Sequence, residues 1–234
     1  KLVNHDRADY YFFSDQDDVW LLNKLELSLK EAQNYLADLP LMVYMDLKVV
    51  NQDLEIMTES MVKSQSHHAN TELVQELTEN TVTGGVAMIN HALAEMWQET
   101  DDILMHDWYL ALLASAFGNL VFIDQPGELY RQHSDNVLGA RTLSKRFKKW
   151  IRPHILFAVY WDLIKNSQKQ ARHLLQMPLS QSNRELIEAF VTIMDKSMLG
   201  RFRILRKYGL RKNKAFHTLV FTTLIVTKFA YKKE

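Results

Sequence analysis

The chain has no cysteine among its 234 residues, and it also lacks long apolar runs. The absence of cysteine excludes a disulfide framework and a metal site built from thiolates. A membrane-spanning helix needs about 18 or more consecutive apolar residues, and no stretch of the sequence supplies them. Residues 1–11 lack the apolar core of a signal peptide. We therefore expect no membrane-spanning helix.

Several enzyme motifs are also missing from the sequence. It contains no G-x-x-x-x-G-K-S/T, no G-x-S-x-G and no G-x-G-x-x-G. These absences argue against a P-loop nucleotide-binding protein, an α/β-hydrolase and a dinucleotide-binding enzyme. The histidines form no H-E-x-x-H pattern, which argues against a zinc hydrolase.

The formal net charge is zero, but the charges are divided unequally along the chain. Residues 1–143 carry 8 Lys and Arg against 23 Asp and Glu, whereas residues 144–234 carry 20 against 5. This division predicts two domains, with the basic one facing something anionic. One candidate for the anion is a membrane surface. The other is the acidic first half of the chain, on which the basic second half would pack as a helical bundle. Nucleic acid is not expected, because none of the usual reader motifs occurs.

An acidic cluster follows the first aromatic segment, in the sequence YYFFSDQDDVW of residues 10–20. Asp15, Asp17 and Asp18 bring like charges close together, and a divalent cation is the simplest neutralising partner. Carboxylates at the end of a strand offer the hard oxygen ligands that Mg²⁺ or Mn²⁺ prefers. The alternative is a solvated acidic turn.

The first half reads as alternating strands and helices, which predicts an α/β fold. A helix is expected over residues 21–37 with Asn23 and Glu26 as a capping box. A strand is expected over residues 41–45, ending at Asp46, and a further strand with a turn over residues 47–56. Residues 58–70 show neither the helical nor the strand periodicity of apolar residues, and they are expected to form a mobile loop. A second helix is expected over residues 107–117, closed by Gly118, and a strand over residues 120–123.

The second half is predicted to be helical. Residues 144–166 are basic and then aromatic, with Pro153 starting or breaking a helix. A single amphipathic helix is expected over residues 183–199, capped by Asn183 and stopped by Gly200. Residues 215–230 are nearly all apolar.

Four segments carry a resemblance to a known family: SDQDDVWLLNKLE (14–26), VYMDLKVVNQDLEI (43–56), NTVTGGVAMIN (80–90) and HDWYLALLASAFGNLVFIDQPGELYRQHSDNVLGA (106–140). In this order they resemble the family 2 glycosyltransferases of the GT-A fold, and within them the bacterial rhamnosyltransferase-like enzymes. The resemblance implies a Rossmann-like mixed sheet flanked by helices over residues 1–143, with a helical extension over 144–234. Such enzymes also carry an upstream strand and loop that hold the nucleotide base. We expect the given sequence to be a fragment or to omit that piece.

The resemblance implies an inverting, metal-dependent transfer of a sugar, most simply L-rhamnose from dTDP-L-rhamnose, to a lipid-linked or cell-wall polysaccharide. It assigns the general base to Asp107, for which a first-turn helix acid is the alternative. Asp15, Asp17 and His133 would hold Mg²⁺ or Mn²⁺, although a lone histidine is more often structural.

Further roles follow from the same resemblance. Donor binding is assigned to three residues: Asp15, Trp20 and Arg131. Acceptor binding is assigned to four residues: Asp46, Gly84, Gly85 and Trp108. The glycine pair is explained equally well by a tight turn, and an aromatic residue at helical spacing is more often part of a core.

The implied location is cytoplasmic and peripheral, at the inner face of a bacterial plasma membrane. The alternative function is a non-catalytic module that binds a glycan or a partner at the membrane. The apolar helices near the end of the chain also allow a homodimer.

Overall fold

The computed structural model describes residues 7–66, 68–97, 103–132 and 153–232, with only the backbone for 153–156. These residues belong to two compact units. The first unit holds residues 7–66, 68–72, 80–97 and 105–132, and the second holds residues 73–79, 103–104 and 153–232. The predicted boundary between residues 143 and 144 lies outside the described residues.

The first unit is built on a mixed sheet. Its strands are β1 (Tyr10–Phe12), β2 (Val19–Trp20), β3 (Leu41–Val50), β4 (Ile56–Thr58), β5 (Ala87–Asn90) and β6 (Asn119–Arg131). The order is β1-β5-β3-β6-β2, with β4 paired to β3. β3 and β6 are parallel, whereas the other described pairs are antiparallel. The predicted α/β class is therefore confirmed.

The described helices, in chain order, are α1 (Lys24–Ala32), α2 (Met61–Gln65), α3 (Leu73–Glu76), α4 (His91–Glu95), α5 (His106–Phe117), α6 (Pro153–Leu174), α7 (Gln181–Val191), α8 (Met198–Tyr208) and α9 (Ala215–Thr227). Short 3₁₀ turns occur at Gly84–Val86 and Ile193–Asp195. None of these helices has the length and apolar character needed to cross a bilayer.

Strand β3 forms the centre of the first unit because almost every residue in it is buried. Side chains alternate between the two faces of a strand, so its odd-numbered residues share one face. On that face Leu41 and Val43 pack with Ala32 and Met88, and Met45, Leu47 and Val49 pack with Val86. The sheet thus packs α1 and the turn at Gly84–Val86, here called the glycine turn, against one surface.

Three details of the first unit differ from the sequence predictions. The capping box is wrong, because Asn23 has helical backbone angles and its side chain makes no capping hydrogen bond. The strands predicted on either side of Asp46 are one strand that continues to Val50, because β6 pairs with it along its whole length. Residues 58–70 are not a structureless loop, since they contain α2, capped by Ser60.

The second unit consists of helices in its described part. Residues 73–79 belong to it: Ser167 donates to the carbonyl of Leu77 (2.7 Å) and Thr78 to that of Arg211 (2.6 Å). The prediction of one helix over residues 183–199 is wrong. Ser180 caps α7 and Ser197 caps α8, so Gly200 lies inside the second of two helices.

Candidate active site

The acidic cluster lies in the loop between β1 and β2. Asp15 and Asp17 are exposed, whereas Asp18 is half-buried. One carboxylate oxygen of Asp18 accepts a hydrogen bond from the backbone N–H of Arg131 at 2.7 Å. Burial raises the pKa of Asp18 despite this hydrogen bond, and the neighbouring charges of Asp15 and Asp17 raise it further. The loop therefore concentrates negative charge beside Arg131, at the end of β6.

Arg131 ties this loop to a second turn. Its Nε donates to the carbonyl of Asp17 (3.1 Å) and its Nη1 to the carbonyl of Gln52 (2.7 Å). These contacts make Arg131 a clamp on the backbone of the acidic loop. The sequence assigned it to the donor diphosphate, and the structure adds this structural role beside that one.

A buried ion pair lies behind the acidic loop, and no role was predicted for either partner. Nζ of Lys24 is 3.0 Å from Oε2 of Glu128, and the two side chains are 1% and 0% exposed. Lys24 also donates to the carbonyl of Gly85 and lies over the ring of Trp20, 3.7 Å from its centroid. This contact gives Trp20 a structural function next to its predicted donor role.

The carboxyl groups of Asp18 and Glu128 influence each other's pKa. Among the described residues no N–H or hydroxyl donates to Oδ2 of Asp18 or Oε1 of Glu128, and both oxygens are buried. The charges of Asp18 and Asp15 favour the protonated form of Glu128. Burial raises the pKa of Glu128 to about 7, although Lys24 opposes this shift. Glu128 is therefore protonated in a large fraction of molecules at neutral pH.

The turn at Gly84–Gly85 lies next to the start of α5, and the residue that follows β1 lies there too. A Cβ at Gly84 would lie 2.8 Å from Nε2 of His106. The ring of Phe13, two residues before Asp15, is 5.2 Å from the ring of His106. The end of β1, the glycine turn and the first turn of α5 are therefore neighbours. Close packing explains why glycine occupies position 84.

Asp107 lies in the first turn of α5, where the helix dipole favours a negative charge. Its Oδ1 accepts from the backbone N–H of Trp108 at 2.7 Å. Burial raises the pKa of Asp107, and this effect exceeds the lowering by His106 and by the backbone N–H groups of Trp108 and Gly84. A carboxylate with a raised pKa is a stronger base, which suits proton abstraction.

Two predicted acceptor residues lie in the interior. Asp46 is buried, and its carboxylate accepts from Ser60 Oγ and from the backbone N–H groups of Leu47 (2.8 Å) and Val62 (3.1 Å). It thereby fixes the start of α2 against β3. Trp108 is 2% exposed and packs in the core. Because neither side chain faces solvent, the structure gives both a packing role where the sequence predicted contact with an acceptor.

The described residues contain no group of three or more His, Asp or Glu side chains that could hold a metal ion. His133 lies outside the described residues. Asp15 and Asp17 fit Mg²⁺ or Mn²⁺ in chemical kind, because they supply adjacent, exposed hard oxygens. Magnesium is commonly held by one or two carboxylates together with substrate phosphates and water. Such an ion would need oxygens from a ligand or solvent in addition to these two carboxylates.

Comparison with models of known protein families gives no match, and comparison with curated proteins also gives none.

Proposed function

We propose that the first unit is the catalytic region of an inverting family 2 glycosyltransferase of the GT-A fold. The observation that carries the proposal is the meeting of three segments at the glycine turn. Phe13 at the end of β1 contacts His106, while Gly84 contacts both His106 and Asp107. An acidic loop and a base of raised pKa on adjacent segments are the two components that an inverting transfer to a hydroxyl requires.

In this proposal Asp107 removes the proton of the acceptor hydroxyl as that oxygen attacks the anomeric carbon of the donor sugar. The bond between the sugar and the nucleoside diphosphate breaks, and the diphosphate leaves with its negative charge. Asp107 is the appropriate base because burial raises its pKa. The dipole at the start of the helix still stabilises its carboxylate form. Gly84 and Gly85 are buried against His106 and Glu128, so in this proposal they shape the turn beside the base.

The departing diphosphate lies at the acidic loop. A bound Mg²⁺ or Mn²⁺, held by Asp15 and Asp17, would supply positive charge for it. Arg131 positions this loop through the carbonyl of Asp17, and Trp20 lies beside it. The donor that we propose is dTDP-L-rhamnose, and the acceptor is a lipid-linked or cell-wall polysaccharide made at the inner face of a bacterial plasma membrane. The choice of rhamnose rests on the resemblance to the rhamnosyltransferase-like enzymes alone.

The test is release of nucleoside diphosphate from a panel of dTDP-, UDP- and GDP-sugars, with Mn²⁺ and with a chelator. The wild type should release nucleoside diphosphate when Mn²⁺ is present and should not release it when the chelator is present. Asp17→Asn should require a higher Mn²⁺ concentration for half-maximal release. Asp38→Asn, an exposed aspartate between α1 and β3, is the matched control and should behave as wild type. Release that is equal in the wild type, Asp17→Asn and Asp107→Asn would defeat the assignment of the site. A non-catalytic binding module would bind nucleotide sugar without releasing diphosphate.

A further inference from the structure

Helix α9 has no charged residue along its length, AFHTLVFTTLIVT. One side of the helix is buried through Phe221, Leu224 and Ile225, each no more than 1% exposed. A helix that is apolar on all sides is normally enclosed by other elements. In α9 the described part of the chain encloses only one side.

Among the residues that the structure describes, none covers the opposite side of α9. Leu219 is 65% exposed and Phe216 is 47% exposed. Ala215, Thr223 and Thr227 are also exposed. At 3.6 residues per turn these five positions form one stripe along the helix. Large exposed apolar side chains grouped on one surface indicate an interaction site.

Cationic residues lie at both ends of α9 and on the helix that packs against it. Lys214 precedes α9, and Lys228 ends it in the left-handed conformation. Helix α8, which packs against α9, exposes Arg203, Arg206 and Lys207. Residues 196–232 contain ten Lys and Arg and no Asp or Glu. The partner of this surface should therefore be both anionic and able to receive apolar side chains.

We propose that α9 lies flat in the headgroup region of an anionic lipid bilayer, with Leu219 and Phe216 inserted among the acyl chains. At 1.5 Å per residue the 13-residue helix is about 20 Å long, too short to cross a bilayer and suited to lying along its surface. The lysines at its two ends reach lipid phosphates. The proposal does not depend on the enzymatic one.

The charge pattern favours lipid over the other anionic or apolar partners. Nucleic acid binding relies on cations that contact phosphates, whereas the open stripe of α9 carries none. A second copy of the chain would bring a surface of the same positive sign against this one, with no acidic residue in 196–232 to compensate. An anionic bilayer satisfies the apolar stripe and the cations together.

The absence of cysteine permits a direct test on the full chain. Leu219→Cys is labelled with a fluorophore that brightens and shifts to the blue in an apolar environment. Leu36→Cys, at an exposed apolar position of the first unit, is the matched control. Phosphatidylcholine vesicles containing phosphatidylglycerol should shift the emission of the label at position 219 and leave that at position 36 unchanged. Pure phosphatidylcholine should produce a much smaller shift.

Co-sedimentation with the same vesicles measures the energetic contribution of the stripe. Leu219→Glu should weaken binding at least about tenfold, because it removes the burial of a leucine and adds repulsion from anionic lipid. Leu36→Glu should bind as wild type. The proposal is overturned if the two labels respond alike, if the wild type does not bind, or if Leu219→Glu binds normally. It is also overturned if the label at 219 shifts with protein concentration in the absence of lipid, which would indicate a dimer.

Discussion

The ammonium group of Lys24 lies 3.0 Å from a carboxylate oxygen of Glu128, at a point where neither side chain reaches solvent. The two residues come from the first turn of α1 and from β6. Taking two charges out of water is unfavourable unless their remaining hydrogen-bonding groups are satisfied. Lys24 meets this requirement through the Gly85 carbonyl and the Trp20 ring, and the raised pKa of Glu128 lowers the cost of burying its carboxyl group. The pair therefore fixes the floor of the candidate site.

The first prediction concerns loss of the cation. Lys24→Met should lower the free energy of unfolding by about 3–5 kcal/mol, because it leaves Glu128 buried without its charge partner. The loss should be larger at pH 8 than at pH 5, since protonation of Glu128 relieves the penalty at low pH. Urea denaturation at the two pH values measures it. Lys30→Met, an exposed lysine of the same helix, should change stability by less than about 0.5 kcal/mol. An equal loss at both pH values would contradict this account of Glu128.

The second prediction concerns the pH dependence of stability. The pKa of Glu128 rises from 4.5 to about 7 on folding, so between these values the folded state binds more protons than the unfolded state. The free energy of unfolding should therefore fall as pH rises through this range, by at most about 3 kcal/mol from this group. Glu128→Gln should flatten the slope in a series of denaturation curves. Glu26→Gln, at an exposed position of α1, should keep the slope.

The sequence predicts elements that are specified locally. Helix α5 and its end at Gly118 follow from apolar spacing and from a glycine whose N–H donates to Ala114 at 2.9 Å. The same reasoning failed at Asp46, because the partners that let a carboxylate stay inside a strand are Ser60 and Val62, on a later helix. Local patterns cannot reveal a partner that only the folded chain supplies.

The residues of the candidate site also fall into those that the sequence indicates and those that only the fold brings together. The sequence indicated the acidic loop, because clustered carboxylates are visible in a short window, and the family resemblance indicated Asp107. It gave no role to Lys24 or Glu128, which are 104 positions apart. Lys24 occupies a helix position that looks solvent-facing, and only the meeting of α1 with β6 buries it. Long-range pairs of this kind need the sheet order, which the pattern alone does not provide.

The third prediction concerns the proposed base. Asp107→Asn should lower the rate of transfer by about 10²–10⁴, while nucleotide-sugar binding changes little. Because the pKa of Asp107 is raised above 3.8, the wild-type rate should fall as pH drops through that raised value and the carboxylate is protonated. A pH series of kcat/KM tests this, and Asp107→Asn should lose the acid limb. An acid limb that persists in Asp107→Asn would assign the base to another residue.

The last prediction concerns the glycine turn. A Cβ at Gly85 would collide with the carboxylate of Glu128, so Gly85→Ala should lower the free energy of unfolding by about 1–3 kcal/mol. Its effect should shrink when Glu128 is replaced by alanine, because the colliding group is then gone. A double-mutant cycle measured by urea denaturation should give a coupling of about 0.5–3 kcal/mol. Gly200→Ala, whose Cβ would instead meet Lys196 and Ser197, should show no coupling to position 128. Additive effects of Gly85→Ala and Glu128→Ala would mean that the turn is not held by the buried pair.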